Sequence, residues 1–178
     1  MGAEELKALI RTVPDFPAPG IQFRDVTTLL ADAGGLAGAV DGLVGLTRDL
    51  PVASVAGIEA RGFIFGAALA LSLGVGFIPM RKAGKLPVET LGEDYKLEYG
   101  VARLEVDPSV VVKNAEVLIV DDLLATGGTA LAATHLLRRA GARVADAVFV
   151  VDLPDIGGSK ALEKAGVATR ALVAYGGH

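Results

Sequence analysis

Two adjacent acids followed by a glycine-bearing loop are the residues of this chain best suited to chemistry. Asp121 and Asp122 come directly after four apolar residues, and the loop Ala-Thr-Gly-Gly-Thr follows at residues 125–129. Glycines let a ligand approach the main chain closely, and N–H groups at the start of a helix suit a phosphate. Two neighbouring carboxylates suit sugar hydroxyls or a hydrated Mg²⁺ instead. The spacing therefore predicts a sugar phosphate site, with the phosphate on the loop and the hydroxyls on the acids.

Three other structures could also account for the acid pair and the glycine-bearing loop. A plain strand-to-helix turn with two solvated acids needs no ligand at all. A Walker-B strand also ends in acids, but it requires a partner G-x-x-x-x-G-K-[ST]. The only Gly-Lys pair, Gly84-Lys85, is followed by Leu86, so a P-loop NTPase has no support. No G-x-G-x-x-G follows a predicted strand, which also removes a dinucleotide-binding fold.

Two further segments have residue types suited to a ligand. Arg61 follows a short apolar strand, and its planar guanidinium matches the geometry of a phosphate. The alternative is a surface arginine at a turn. The Pro-rich residues 14–25 form a stiff, extended segment that includes Phe16 and Phe23, and an aromatic ring held there could stack on a flat ligand. Packing of both rings onto the core is the simpler explanation from these residues alone.

The elements that position these residues alternate along the chain. Apolar runs predict strands at residues 55–58, 75–80, 117–120, 144–151 and 169–173, and helical spacing predicts helices at residues 4–13, 36–50, 63–73, 130–140 and 159–165. This alternation predicts an α/β fold with a parallel sheet in one domain of residues 1–178. A polar stretch at residues 83–107 interrupts the rhythm, and we expect a hairpin or flap that forms a hood over the carboxyl ends of the strands.

The composition excludes several classes of protein. The chain has 178 residues, 52% of them hydrophobic, and a net charge of −4, which opposes a broad nucleic-acid or membrane surface. It contains no cysteine, so disulfides, thiolate metal sites and a cysteine nucleophile are excluded. The acidic N-terminus lacks the pattern of a signal peptide, and we expect a cytoplasmic protein.

The run of residues 117–129 closely resembles the phosphoribosyl-diphosphate (PRPP) motif of the type I phosphoribosyltransferases, because the apolar strand, the acid pair and Thr-Gly-Gly-Thr occur in register. Residues 14–25, 57–66, 81–87 and 97–100 resemble the members of that family that act on adenine. The resemblance implies the type I fold, with a parallel sheet and a small flexible flap over the carboxyl edge of its strands.

The resemblance also implies a role for each matching residue. On the base side, Phe23 would stack on adenine, Leu153 would line the pocket, and the backbone of Gln22 and Arg24 would bind the amino group and ring N1. On the PRPP side, the implied residues are Arg61 and Lys82 for the diphosphate, Asp121 and Asp122 for the ribose hydroxyls, and Ala125, Thr126, Gly127, Gly128 and Thr129 for the 5′-phosphate. The flap would supply Glu98 and Tyr99, with Glu98 as general acid/base and Arg61 as the second catalytic residue.

The reaction implied by the resemblance is transfer of the 5-phosphoribosyl group from PRPP to N9 of adenine, giving AMP and diphosphate in purine salvage. It implies Mg²⁺ held mainly through the substrate diphosphate and ribose, with no metal-binding residues. The expected partners are PRPP, adenine and a second copy of the chain, with no nucleic acid and no membrane. A transferase for guanine or xanthine and a PRPP-sensing regulator are the alternatives, although 178 residues leave no room for the DNA-binding domain usual in such regulators.

Overall fold

A seven-stranded sheet forms the centre of the structure, a computed structural model that describes residues 1–96 and 100–176. Its strands are β3 (Ser54–Ile58), β4 (Gly76–Lys82), β5 (Leu91–Lys96), β6 (Val101–Val106), β7 (Val117–Leu124), β8 (Asp146–Asp152) and β9 (Ala168–Ala174). They lie in the order β5–β6–β4–β3–β7–β8–β9. Five strands, in the order β4–β3–β7–β8–β9, are parallel. β5 and β6 are added antiparallel at one edge. The predicted α/β fold with a mostly parallel sheet is confirmed.

Helices cover both faces of the sheet, which is why its central strands are buried apolar runs. The helices are α1 (Ala3–Leu9), α2 (Thr27–Ala31), α3 (Ala33–Leu46), α4 (Arg61–Leu73), α5 (Gly128–Arg139) and α6 (Gly158–Lys164). One apolar cluster joins α5 and α6 to the sheet through residues such as Leu136 and Leu162. The other joins α1, α3 and α4 through residues such as Leu6, Leu43 and Phe65. None of the helices within the described residues has the length and apolar character needed to cross a bilayer.

The order of the strands creates a crevice between β3 and β7. The chain leaves β3 through α4 toward β4, whereas it leaves β7 through α5 toward β8 on the opposite side. The carboxyl ends of two such neighbouring strands diverge into their separate helices, and ligands of open α/β sheets bind at this point. The residues after β3 and at the end of β7 therefore face one another across the crevice.

The N-terminal segment differs from its prediction. The helix predicted over residues 4–13 ends at Leu9, and residues 11–14 form β1 (Arg11–Pro14) instead. β1 pairs antiparallel with β2 (Gln22–Asp25) in a separate two-stranded sheet, so the Pro-rich segment folds back as a hairpin rather than running straight. The β-branched Thr12 and Val13 favour a strand once a partner is available. Helical spacing of apolar residues could not reveal that partner.

The polar stretch at residues 83–107 contains the predicted hairpin, formed by β5 and β6. Only Arg81 and Lys82, the last residues of β4, pair with β6, so most of the hairpin extends beyond the carboxyl end of β4. We call β5 and β6 the hood. The hood packs against α5, and the β5 residue Tyr95 is partly buried against the core. The hood therefore extends the sheet beyond β4 and places Tyr95 beside the crevice.

Candidate active site

A cavity of about 400 Å³ occupies the crevice between the ends of β3 and β7. Its walls come from the turn after β3, the end of β4, the end of β7 and the loop that starts α5. Tyr95 of the hood also lines it. The predicted residues brought together here are Arg61, Lys82, Asp121, Asp122, Ala125, Thr126, Gly127, Gly128 and Thr129.

The two acids lie within β7, which continues to Leu124 instead of ending at Val120 as predicted. Asp122 is buried and pairs through its Oδ2 with Nε of Arg61 across the crevice. Asp121 Oδ1 accepts the N–H of Asp122 at 2.9 Å. Desolvation, followed by the neighbouring Asp122 charge, raises the pKa of Asp121 well above its ordinary value. The crevice floor thus has strong acceptor groups, one of which is already engaged by a cation.

An Asp121→Asn variant should be more stable than the wild type at neutral pH. Because the pKa of Asp121 is raised on folding, the folded chain binds more protons than the unfolded chain above roughly pH 4, and stability falls as the pH rises through the raised pKa. Asparagine keeps an oxygen that can accept the Asp122 N–H but adds no charge. Thermal unfolding should give the variant the higher Tm at about pH 8, with the difference shrinking toward about pH 4.

On the role that the sequence resemblance implies for Asp121, the same variant should lose about tenfold in kcat/KM for PRPP, the effect of one charge-assisted hydrogen bond to a ribose hydroxyl. Asp41→Asn, at an exposed position on α3, is the matched control and should change neither property. A lower Tm for Asp121→Asn than for the wild type at about pH 8 would contradict the electrostatic argument.

The loop of residues 125–129 is shaped by backbone contacts with the first residue of α6. Gly127 has φ 81° and precedes the first turn of α5, a conformation that glycine adopts without strain. Ala125 O accepts the N–H of Gly158 at 2.9 Å. A Cβ at Gly158 would lie 2.4 Å from Ala125 O and 2.9 Å from Gly127 N, so only glycine fits there. Sequence reasoning assigned no role to Gly158, since it lies some 30 residues from the loop it supports.

Glu59 is a second residue that the sequence analysis left without a role. Its Oε2 accepts Nε of Arg81 at 3.0 Å and the backbone N–H of Lys82 at 2.8 Å. The backbone hydrogen bond from Lys82 is the largest cause that lowers the pKa of the Glu59 carboxyl. Glu59 therefore joins the end of β3 to the end of β4 and holds the Lys82 backbone beside the cavity. The sequence signal that could have indicated this contact is Glu59 after one predicted strand and Arg81 and Lys82 after the next.

A second cavity, of about 480 Å³, lies next to the first. Gln22, Phe23 and Arg24 of β2 line it together with Leu153. The ring of Phe16 meets the ring of Phe23 edge-on, with 5.2 Å between their centroids. The wall shared by the two cavities comprises Arg61, Leu123 and Ala125. The remaining predicted site residues, Glu98 and Tyr99, lie outside the described residues.

Comparison with known proteins identifies the family to which this site belongs. Residues 26–168 match the family model described as the phosphoribosyl transferase domain. Adenine phosphoribosyltransferase of Erythrobacter litoralis is 60% identical over 178 residues, which cover 100% of both chains. The chain belongs to the adenine phosphoribosyltransferase family.

Solved structures of this family have the same fold. Adenine phosphoribosyltransferase of Thermoanaerobacter pseudethanolicus superposes with a TM-score of 0.93 at 43% identity, covering 97% of this chain and 99% of the other. The Giardia lamblia enzyme, crystallised with 9-deazaadenine, gives a TM-score of 0.92 at 34% identity, covering 100% of this chain and 99% of the other. The resemblance of the sequence motifs to adenine phosphoribosyltransferases is confirmed.

Proposed function

We propose that the chain transfers the 5-phosphoribosyl group from PRPP to N9 of adenine, giving AMP and diphosphate. The observation that carries this proposal is the pair of adjoining cavities. One has carboxylates, cations and a glycine-bearing helix start, whereas the other is lined by an aromatic ring and a leucine. Because Arg61 lines both cavities, a sugar in the first and a flat base in the second would meet beside it.

In the first cavity, each residue type matches one part of PRPP. Residues 125–129 present the backbone N–H groups and hydroxyls that begin α5, which suit the 5′-phosphate. Asp121 and Asp122 would accept hydrogen bonds from the ribose hydroxyls. Arg61 and Lys82 supply positive charge for the diphosphate on the opposite wall.

In the second cavity, Phe23 and Leu153 would hold the two faces of adenine. The backbone of Gln22 and Arg24 would accept from the 6-amino group and donate to ring N1. A 6-oxopurine reverses the donor and acceptor at these positions, so it would leave buried polar groups unpaired. The pocket therefore favours adenine over hypoxanthine or guanine.

The reaction breaks the bond from C1′ to the diphosphate oxygen and forms the bond from C1′ to adenine N9. The electron pair of the broken bond leaves with the diphosphate, so negative charge grows there in the transition state. The guanidinium of Arg61 would stabilise that charge, because the group is already oriented by Asp122 and needs little rearrangement. Tyr99 would complete the closed site.

Glu98 is proposed as the general acid/base for the purine proton. A Glu98→Ala variant should lower kcat about 100-fold, the low end of general acid–base catalysis, with little change in PRPP affinity. Steady-state kinetics with saturating PRPP would measure this effect. Unchanged turnover would remove Glu98 from the proposed role.

Mg²⁺ fits this site as an ion carried mainly by the substrate. Within residues 1–96 and 100–176, no group of three or more His, Cys, Asp or Glu side chains could hold a metal ion. The adjacent Asp121 and Asp122 suit the hydrated ion, while the diphosphate and ribose oxygens would supply most ligands. When bound, the ion neutralises part of the charge on the diphosphate.

A substrate panel tests the proposed function. Formation of AMP, GMP, IMP and XMP would be measured from PRPP and each base, with Mg²⁺ present and withheld. We expect AMP formation that depends on Mg²⁺, with little product from the 6-oxopurines. Turnover of guanine but not adenine would replace the proposal with a transferase for another purine.

We also propose a homodimer, as the resemblance to the family implies, and a cytoplasmic location. The outer side of α4 supports the dimer, because Ile64 and Leu71 are exposed there at 44% and 83%. Light scattering of the purified chain would test it, and the mass of a single chain of 18.2 kDa would contradict it.

A further inference from the structure

Tyr175, the residue after β9, contacts Arg24, which lines the second cavity, and Asp152, which precedes the lining residue Leu153. On one side, the guanidinium of Arg24 lies over the Tyr175 ring, with 4.2 Å from Cζ to the ring centroid. Arg24 follows Phe23 directly in β2. On the other side, the N–H of Tyr175 donates to Asp152 O at 3.0 Å, and Leu153 follows Asp152 directly. The two proposed contact residues of the base, Phe23 and Leu153, are thus each one residue away from an anchor at Tyr175.

This arrangement matters because β2 belongs to the small two-stranded sheet, whereas Leu153 follows a strand of the seven-stranded sheet. The ladder between β1 and β2 fixes the shape of the hairpin but not its distance from Leu153. The local contacts of the hairpin, such as Arg11 with Asp25 and Arg24 with Thr12, remain within the N-terminal segment. The contact between Arg24 and Tyr175 instead joins β2 to the end of the large sheet.

The hydroxyl of Tyr175 contributes less than its ring. It reaches Lys7 O at 3.4 Å, which is long for a bond donated by a hydroxyl. The ring is partly buried against the apolar cluster on this face and receives Arg24 at a distance typical of a strong cation–π contact. The ring face is therefore the part of Tyr175 that holds Arg24.

We infer that Tyr175 is a positioning residue that sets the spacing between Phe23 and Leu153 and thereby the affinity for the purine base. The inference rests on the proposed function, because it assigns the second cavity to the base. Tyr175 lines neither the second cavity nor the first, where the proposed PRPP residues lie. Loss of the ring should therefore weaken binding of adenine and leave binding of PRPP unchanged.

The test compares four variants of the full chain in steady-state kinetics with both substrates. Tyr175→Leu should raise KM for adenine about tenfold, the scale of one partly buried cation–π contact, with kcat and KM for PRPP unchanged. Tyr175→Phe keeps the ring and should remain within about twofold of the wild type. Arg24→Gln should raise KM for adenine as Tyr175→Leu does, and the double variant should be no worse than either single one.

Lys7→Met is the matched control, because Lys7 Nζ also lies over the Tyr175 ring, 5.6 Å from its centroid, but belongs to α1 rather than β2. It should leave KM for adenine unchanged. Equal rises in both KM values, additive effects of the two substitutions, or an unchanged KM for adenine in Arg24→Gln would overturn the inference. If Tyr175→Leu does not fold, the KM values for adenine of Arg24→Gln and Tyr175→Phe still test the inference. Wild-type AMP formation in the same assay separates failure of the inference from failure of the proposed function.

Discussion

An Arg61→Gln variant is expected to lose about 1,000-fold in kcat, the upper range for removal of one preorganised donor at a developing charge. Arg61 stands at the wall shared by both cavities, and its Nε pairs with the buried carboxylate of Asp122. Glutamine keeps a donor but removes the positive charge that would face the leaving diphosphate. Single-turnover kinetics, with saturating PRPP and with the enzyme in excess over adenine, would isolate this effect on the chemical step.

Part of the loss could come from Asp122, which Arg61→Gln leaves buried without its cation. The double variant Arg61→Gln/Asp122→Asn removes that carboxylate charge and should recover thermal stability but not kcat. Arg143→Gln is the matched control, because it breaks an ion pair with Glu116. Glu116 directly precedes β7, so this pair lies at the amino ends of the parallel strands, away from the crevice. The control variant should change kcat by less than about twofold. Recovery of kcat in the double variant would show that Arg61 acts only by neutralising Asp122.

A Gly158→Ala variant is expected to lose about 1,000-fold in kcat/KM for PRPP, although Gly158 lies outside the proposed set of substrate-binding residues. Its Cβ would lie 2.4 Å from Ala125 O and 2.9 Å from Gly127 N, and both atoms belong to the loop backbone. Relief of these clashes changes the position of the loop relative to the start of α6, and we expect the loop to shift. Loss of two or three charge-assisted hydrogen bonds to the 5′-phosphate, each contributing about 1.5–3 kcal/mol, accounts for the magnitude.

Calorimetric titration with PRPP and thermal unfolding together test this prediction. The matched control is Gly45→Ala in α3, where a Cβ meets no atom within 4 Å and alanine suits the helix better than glycine. It should bind PRPP as the wild type does. If Gly158→Ala folds and binds PRPP with wild-type affinity, residues 125–129 are not the phosphate site.

Most residues of the first cavity could be predicted from short stretches of the sequence. Asp121, Asp122 and residues 125–129 are contiguous, so the strand that positions them and the helix that follows are visible as one pattern of apolar spacing and glycines. Arg61 was recognised in the same way, from its place between a buried strand and a helix. Because parallel strands carry their ligands at their carboxyl ends, the alternation of strands and helices was enough to place these groups at one edge.

The second cavity required the tertiary structure. The sequence places Phe23 in an extended segment whose simpler role is packing on the core, and the hairpin of β1 and β2 brings it to the cavity that Leu153 also lines. The partner strand of β2 lies where helical spacing predicted a helix. Strand pairing is a contact between segments, so the residues of either strand alone do not specify it.

The sequence by itself determined which chemical groups the chain offers to a sugar phosphate, because those groups and the elements that hold them are neighbours along the chain. Only the tertiary structure decided how the groups are supported. Glu59 accepts the Lys82 N–H, Gly158 packs against the backbone of residues 125–127, and the Tyr175 ring contacts Arg24. These supports act through contacts between residues 23 to 151 positions apart. Such contacts depend on the order of strands in the sheet, and no periodicity within one segment records that order.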